Sequence, residues 1–173
     1  MKALWLAVKN LLVTACVVGG VAGWVPLRWF ERHARWPETW SALNVVGAVI
    51  CVLGFALFAH CQWLIASRGQ GTPAPIDPPK KMVRRGAYKW VRNPVYLAVF
   101  AMVAGQMVFL RSGHIAVYFV CLVCATHVFV LVIEEESLRR RFGAMYEDYR
   151  REVPRWLPRK PRPQLQTVAP FPR

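Results

Sequence analysis

The sequence predicts an all-α polytopic integral membrane protein with about four transmembrane helices and a C-terminal helix on the cytoplasmic side. Three observations predict this class. The composition is 55% hydrophobic, which is too apolar for an ordinary soluble domain of this length. The apolar residues form continuous runs, whereas a membrane β-barrel alternates apolar and polar residues, and in lipid only a helix satisfies the backbone of such a run. Finally, Lys and Arg gather in a few connecting segments.

Four apolar runs approach the ~20 residues that a span needs: residues 3–29, 40–66, 95–110 and 115–133. The first resembles a lipoprotein signal near Cys16, but the run continues through Val25, so we expect an uncleaved span. The third is short on its own. We expect one membrane domain over residues 1–173, in which residues 1–66 form two structural spans and residues 67–158 the functional region. The Pro-rich end, residues 159–173, is expected to be a loose tail.

The basic residues predict the orientation. Seven of the 23 lie between Arg68 and Arg92 and ten lie from Arg139 onward, whereas four lie in connections on the other side. The positive-inside rule therefore predicts that both termini and the middle loop are cytoplasmic. The net charge of +14 could also indicate nucleic acid. Because the charge flanks lipid-embedded helices, we expect anionic headgroups as its partner and no nucleic acid.

The five cysteines all lie in apolar runs, and their odd number predicts no disulfide framework. Cys121, Cys124 and His127 recur at i, i+3 and i+6 on the fourth run, and His60 precedes Cys61 on the second. Such loose spacing is typical of helix packing, so we predict no metal site.

Glycine pairs on the first two runs predict close helix contacts, because small residues let backbones approach. The pairs are Gly19 with Gly23 on the first run and Gly47 with Gly54 on the second. These glycines predict helix packing and no catalytic or binding role.

The middle loop changes character at residue 80. Residues 69–79 are rich in Pro and Gly, which exclude a regular helix. Residues 80–96 interleave aromatic and cationic side chains, which by itself is typical of an interfacial belt on lipid headgroups. Pro94 suits the first turn of the third span, where the free N–H groups and the helix dipole favour an anion.

The third and fourth spans are joined by residues 111–114 alone, so they are predicted to be antiparallel neighbours. Both helices rise ~1.5 Å per residue. Reflection about the turn therefore places residues 91–93 at the depth of Glu134. The basic segment before the third span, residues 80–92, and the acidic cluster that begins at Glu134 are therefore expected to meet.

Spacing divides the acidic cluster. Glu135 precedes Arg139 by four residues, as Glu136 precedes Arg140 and Glu147 precedes Arg151, so these acids are predicted to be solvated. Glu134 instead begins a stripe of apolar and aromatic residues at helical spacing, Leu138, Phe142, Tyr146 and Tyr149. A carboxylate there needs a partner or a ligand. We predict either an ion pair of Glu134 with Arg92 or a ligand site.

Two long motifs now resemble a known family. The first is Gly86-x-Tyr88-x-x-x-Arg92-Asn93-Pro94-x-Tyr96, and the second runs from Glu134-Glu135 through Leu138, Phe142-Gly143, Tyr146 and Tyr149 to Val153-Pro154. In this order the motifs resemble the isoprenylcysteine carboxyl methyltransferase family and its phospholipid methyltransferase relatives. The resemblance covers roughly residues 69–158.

The resemblance implies a methyltransferase that binds S-adenosyl-L-methionine on the cytoplasmic side of a bacterial inner membrane and takes a lipophilic or lipid acceptor from the bilayer. Carried over by position, Arg92 and Glu135 are the catalytic residues, with Glu135 a general base if the acceptor must lose a proton. The implied cofactor contacts are Lys80, Lys81, Met82, Val83, Tyr88, Asn93, Pro94, Val95, Tyr96 and Glu134.

Three positions depart from the members that methylate a prenylcysteine carboxylate. Val130 stands where those members have a basic residue, Asn93 where they often have His, and Glu152 where they often have Arg. Two alternatives stay open from the residues alone. One is a membrane NADPH-dependent lipid or sterol reductase, and the other is a non-enzymatic four-helix scaffold whose basic face binds headgroups.

Overall fold

A computed structural model describes residues 2–28, 39–69 and 81–160. The predicted cofactor contact Lys80, most of the Pro- and Gly-rich stretch and the predicted loose tail beyond residue 160 lie outside these ranges.

The described residues form six α-helices and no strand, which confirms the all-α class. Helix α1, Lys2–Thr14, continues in π-helical turns over Ala15–Trp24, and α2, Ala42–Leu64, continues over Ile65–Gly69. A 3-10 turn at Gly86–Lys89 precedes α3, Pro94–Leu110. The chain then forms α4, Gly113–Phe129, with a π-helical extension Val130–Glu134, followed by α5, Glu135–Phe142, and α6, Ala144–Glu152.

Within the described residues, three helical stretches are long and apolar enough to cross a membrane: Val8–Arg28, Ala42–Gly69 and Gly113–Phe142. The fourth apolar helix, Pro94–Leu110, is shorter, as predicted for the third run. The last stretch extends beyond the predicted end at residue 133, because the chain stays helical from the apolar run into the acidic cluster.

Helices α2 and α3 approach through glycine. A Cβ atom at Gly47 would lie 2.6 Å from the Gly105 carbonyl oxygen, and one at Gly54 would lie 2.9 Å from the Ala98 carbonyl oxygen. The prediction for Gly47 and Gly54 is therefore confirmed. It is wrong for the first run, because no other described helix comes within 4 Å of a Cβ at Gly19 or Gly23.

We expect Gly105→Ala to destabilise the protein by about 1–3 kcal/mol, because overpacking a tight contact forces the backbones apart. Its Cβ would lie 2.7 Å from the Cys51 backbone nitrogen and from the Gly47 carbonyl oxygen. Gly19→Ala is the matched control, since nothing lies within 4 Å of its added Cβ. Reversible unfolding in mixed detergent micelles measures both. Equal stability of the two variants would contradict the close contact.

Polar side chains attach α1 to the other helices. Because lipid offers no hydrogen bonds, buried polar groups must find partners within the protein. The Gln62 amide donates to the Thr14 hydroxyl at 2.9 Å, the Tyr118 hydroxyl donates to the Val21 carbonyl at 2.7 Å, and the Gln106 amide donates to the Ala22 carbonyl. These bonds position the N-terminal helix beside the site described below.

Candidate functional site

The segment that begins at residue 81 turns sharply into the 3-10 helix. Gly86 has a φ of +56°, a left-handed conformation that favours glycine, and a Cβ there would lie 2.7 Å from the His60 imidazole. The turn buries Tyr88, whose carbonyl accepts a hydrogen bond from the Tyr149 hydroxyl at 2.7 Å. The Tyr88 hydroxyl has no hydrogen-bond partner of acceptable geometry among the described residues, although the Cys61 thiol lies beside it.

The first turn of α3 keeps unsatisfied donors, as predicted. Asn93 is the N-cap and Pro94 the first helical residue, and no side chain caps the turn. Asn93 is buried, and its side-chain NH2 group has no partner within the described part of the chain. An unpaired donor at such a depth is costly unless something binds it.

Glu134 meets α3 at the predicted depth, but through a different residue. The Tyr96 hydroxyl donates to Glu134 Oε2 at 2.8 Å. The predicted ion pair of Glu134 with Arg92 is wrong: Arg92 Nη1 instead contacts Glu135 Oε1 at 3.0 Å. One residue is a rotation of about 100° on a helix, so only Glu135 faces Arg92. No cation in residues 2–28, 39–69 or 81–160 pairs with Glu134.

Glu135 is buried, so its predicted place on the solvated face is wrong. Besides Arg92, it accepts two hydrogen bonds from Arg155, from Nε at 2.6 Å and from Nη2 at 3.0 Å. The hydrogen bond to Glu135 raises the pKa of Arg155 above its usual range. We call Arg92, Glu135 and Arg155 the clamp, because it joins the segment before α3, the start of α5 and the segment after α6.

Glu136 and Glu147 lie at the surface, as predicted, but two of the three predicted pairs are wrong. Arg139, the predicted partner of Glu135, contacts Glu136 and Glu147 instead. Glu136 accepts from Arg140 at 2.9 Å, which confirms that pair. Glu147 contacts Arg139 at 2.8 Å and Arg150 at 3.4 Å, so the predicted pair with Arg151 is wrong. The reason is the bend at Gly143, with a φ of +52°, which lets a residue of α5 reach across to α6.

A cavity of about 300 Å³ lies between these elements. Every predicted cofactor contact that the structure describes lines it, together with the predicted catalytic residue Arg92: Lys81, Met82, Val83, Tyr88, Asn93, Pro94, Val95, Tyr96 and Glu134. Glu135, the other predicted catalytic residue, does not line it and lies behind Arg92. The volume is at the lower end of the range for small-molecule sites.

Besides Val99 of α3, the sequence missed two groups of lining residues. One group comprises apolar residues of the first two spans: Val13, Val17, Phe58 and Ile65. They carry no signature, because valines and other apolar residues also fill the rest of these helices. The other group is the predicted stripe Leu138, Phe142, Tyr146 and Tyr149. Its helical spacing was a usable signal, but it predicted packing and no contact with a ligand.

The cavity carries few fixed charges. Burial raises the pKa of Tyr88 well above its usual value, and it also raises the pKa of Tyr146 and of Tyr149, so these hydroxyls stay neutral. Among the lining residues described, Glu134 is the one acid, and the cations are Lys81 and Arg92. The charge of Arg92 is engaged by Glu135. Glu134 is therefore a carboxylate without a cation inside a mostly aromatic and apolar wall.

The residues considered for a metal do not gather. No group of three or more His, Cys, Asp or Glu side chains within the described ranges could hold an ion. His127 Nδ1 instead accepts a hydrogen bond from the Trp156 indole at 2.9 Å.

Comparison with protein families matches residues 43–145 to the family described as phospholipid methyltransferase. The matched stretch is more than half of the 173 residues and includes every predicted site residue. Comparisons with curated proteins and with solved structures gave no match.

Proposed function

This chain belongs to the phospholipid methyltransferase family, and on that premise we propose that it is a membrane methyltransferase that uses S-adenosyl-L-methionine and modifies a lipophilic acceptor. The observation that carries the proposal is Glu134. It is a carboxylate without a cationic partner among the described residues, and it faces a cavity of about 300 Å³ whose tyrosines are neutral. Such a site favours a compact cationic ligand.

The polar groups of the cavity match this cofactor. Bound there, it supplies an electrophilic methyl group on a sulfonium. Glu134 would accept hydrogen bonds from its ammonium or ribose. The free N–H groups of the first turn of α3 and the unpaired NH2 group of Asn93 would bind its carboxylate. The rings of Tyr88 and Tyr96 would lie against the sulfonium or the adenine.

The chemistry asks the protein chiefly to hold two molecules in line and to keep water out. The stripe on α5 and α6 lines the cavity together with apolar residues of the first two spans. The catalytic roles of Arg92 and Glu135 stay predictions. Both oxygens of Glu135 are engaged by guanidinium groups, which supports a role in positioning the site.

We further propose that the basic end of the molecule, residues 81–92 and 139–160, faces the cytoplasm of a bacterial inner membrane. We propose a lipid acceptor without a carboxylate at the reacting position. The place where carboxylate-methylating relatives have a basic residue is here Val130, whose side chain is fully buried. A phospholipid amine fits both the family and this absence of charge.

Binding of S-adenosylhomocysteine tests the proposal. We expect isothermal titration calorimetry on the purified, detergent-solubilised protein to show one site. We also expect this compound, and not NADPH, to raise the melting temperature, because ligand binding stabilises the folded state. Folded protein that binds NADPH or neither compound would contradict the proposal. Incorporation of label from methyl-tritiated cofactor into phosphatidylethanolamine vesicles then tests the acceptor class.

A further inference from the structure

The first helix contributes to the cavity although it lies outside the stretch that matches the family. Val13 and Val17 of α1 line the cavity, whereas the family match begins at residue 43. Hydrogen bonds lie on either side of Val17: the Thr14 hydroxyl accepts from a glutamine of α2 at 2.9 Å, and the Ala22 carbonyl accepts from a glutamine of α3. The wall that α1 gives the cavity is therefore held in place by α2 and α3.

The depth of Val17 follows from the contact of α1 with α3. The two helices run in the same direction, because Val13 lines the cavity beside the start of α3 and Ala22 contacts Gln106 near its end. Val17 precedes Ala22 by five residues, so it lies about halfway between the levels of Tyr96 and Gln106. That level is roughly 7 Å further along α3 than Tyr96, and so deeper in the apolar helix.

The polar groups of the cavity lie at the level of Tyr96 or before it. The Tyr96 hydroxyl bonds to Glu134, and the tyrosine hydroxyls of α6 contact the segment before α3. Among the described lining residues, those beyond Tyr96 are Val17 and Val99, and Val13 lies beside them. Because valine offers no hydrogen bond, this part of the cavity suits hydrocarbon and excludes a charged group.

The chemistry assigns the valines to the acceptor. Methyl transfer needs the acceptor atom in line with the sulfonium and on the opposite side of the methyl group. The proposed partners of the cofactor are Glu134, Asn93 and the first turn of α3, all at the level of Tyr96 or before it. The acceptor is then left with the side of the valines. There α1 borders the bilayer, since Val17 is only partly buried and Leu12 is exposed.

We infer that α1 forms the wall of the acceptor subsite: hydrocarbon of the acceptor lies against Val13, Val17 and Val99, and Val17 is a specificity-determining residue that limits how much of it fits. The inference rests on the proposed function and gives the first span a role in it. The chemistry recognised is a hydrocarbon chain that carries a polar reacting group. Long-chain amines and phospholipid amines both have it.

Native mass spectrometry of the full, detergent-solubilised chain tests the inference without requiring turnover. The probes are dodecylamine and phosphatidylethanolamine, titrated separately. In Val17→Phe we expect the affinity for both probes to fall by about tenfold, because the added ring fills an apolar pocket. Cys16→Phe is the control, since it adds a ring to the exposed face of α1 at nearly the same depth. It should leave both affinities unchanged, and neither variant should change the affinity for S-adenosylhomocysteine.

A fall for dodecylamine alone would support the inference and assign the wall to hydrocarbon attached directly to the nitrogen, whereas a fall for phosphatidylethanolamine alone would assign it to the acyl chains. Unchanged affinity for both probes in Val17→Phe would overturn it, and so would an unmodified chain that binds neither probe. A joint loss of probe and S-adenosylhomocysteine binding in folded Val17→Phe would also overturn it, because the valines would then belong to the cofactor site.

If Val17→Phe does not fold, Val13→Phe is judged by the same outcomes, since Val13 lines the same wall. The fate of the inference is separable from that of the proposed function. A fall in probe affinity in a chain that never binds S-adenosylhomocysteine would contradict the proposed function and leave the hydrocarbon wall standing. Binding of S-adenosylhomocysteine with no effect of Val17→Phe on either probe would do the reverse.

Discussion

Glu134→Gln is expected to lower the affinity for S-adenosylhomocysteine by about 10- to 100-fold, because a hydrogen bond to a charged group contributes roughly 1.5–3 kcal/mol. The substitution keeps the volume of the side chain and removes its charge. The Tyr96 hydroxyl, now 2.8 Å from Glu134 Oε2, can donate equally well to the amide oxygen. Calorimetry measures the affinity, and labelled methyl transfer should fall at least as far.

In Glu134→Gln the melting temperature should change differently from the affinity for S-adenosylhomocysteine. A buried carboxylate without a cation is costly, so its neutral amide should leave the melting temperature unchanged or raise it. Glu136→Gln is the control, since it removes a carboxylate two residues away that is exposed and paired with Arg140, and it should bind as the unmodified chain does. Wild-type affinity in Glu134→Gln would remove the central support for the cofactor site. A parallel loss of stability and binding would show that Glu134 holds the fold.

The sequence predicted the meeting of α3 and α4 because that prediction needed only a count of residues on either side of a tight turn. Two regular helices with one short connection leave a single antiparallel arrangement, which placed residues 91–93 at the depth of Glu134. The contact of Arg92 with Glu135 lies at that depth. The hydrogen bond between Tyr96 and Glu134 confirms that the two helices meet there, about one turn further along α3 than the count placed it. The same regularity predicted the short third span and the glycine contacts of α2.

The errors at Glu134 and Glu135 have a different cause. Spacing along one helix identifies possible partners on that helix, but it says nothing of a segment that returns from elsewhere. Arg155 follows α6 in irregular backbone and contacts Glu135, 20 residues earlier in the chain. No periodic pattern in the sequence predicts such a contact. The contact of Trp156 with His127 was missed for the same reason. The cavity residues of α1 are hidden in another way, because one apolar residue in a membrane helix looks like the next.

Glu135→Ala is expected to destabilise the protein by about 3–5 kcal/mol, the cost of leaving buried charge unpaired. Arg92 and Glu135 are both largely buried, with side-chain exposures of 9% and 7%. Loss of Glu135 should also release Arg155 and the segment that follows α6, so hydrogen exchange at residues 154–159 should rise. Glu147→Gln, which breaks an exposed pair with Arg139, should change the melting temperature little. Equal effects of the two substitutions would contradict the clamp.

A triple substitution separates positioning from chemistry at the clamp. Replacing all three charges with apolar residues, Arg92→Met, Glu135→Leu and Arg155→Met, should recover most of the stability, because removing a whole buried ion network costs far less than breaking it. If Arg92 and Glu135 only hold the segments before α3 and after α6 in place, the triple variant should regain methyl transfer together with its stability. If either residue touches the reacting groups, the triple variant should fold, bind S-adenosylhomocysteine and remain inactive. Activity measured on the refolded triple variant therefore decides between the predicted catalytic role of these residues and the positioning role that their contacts support.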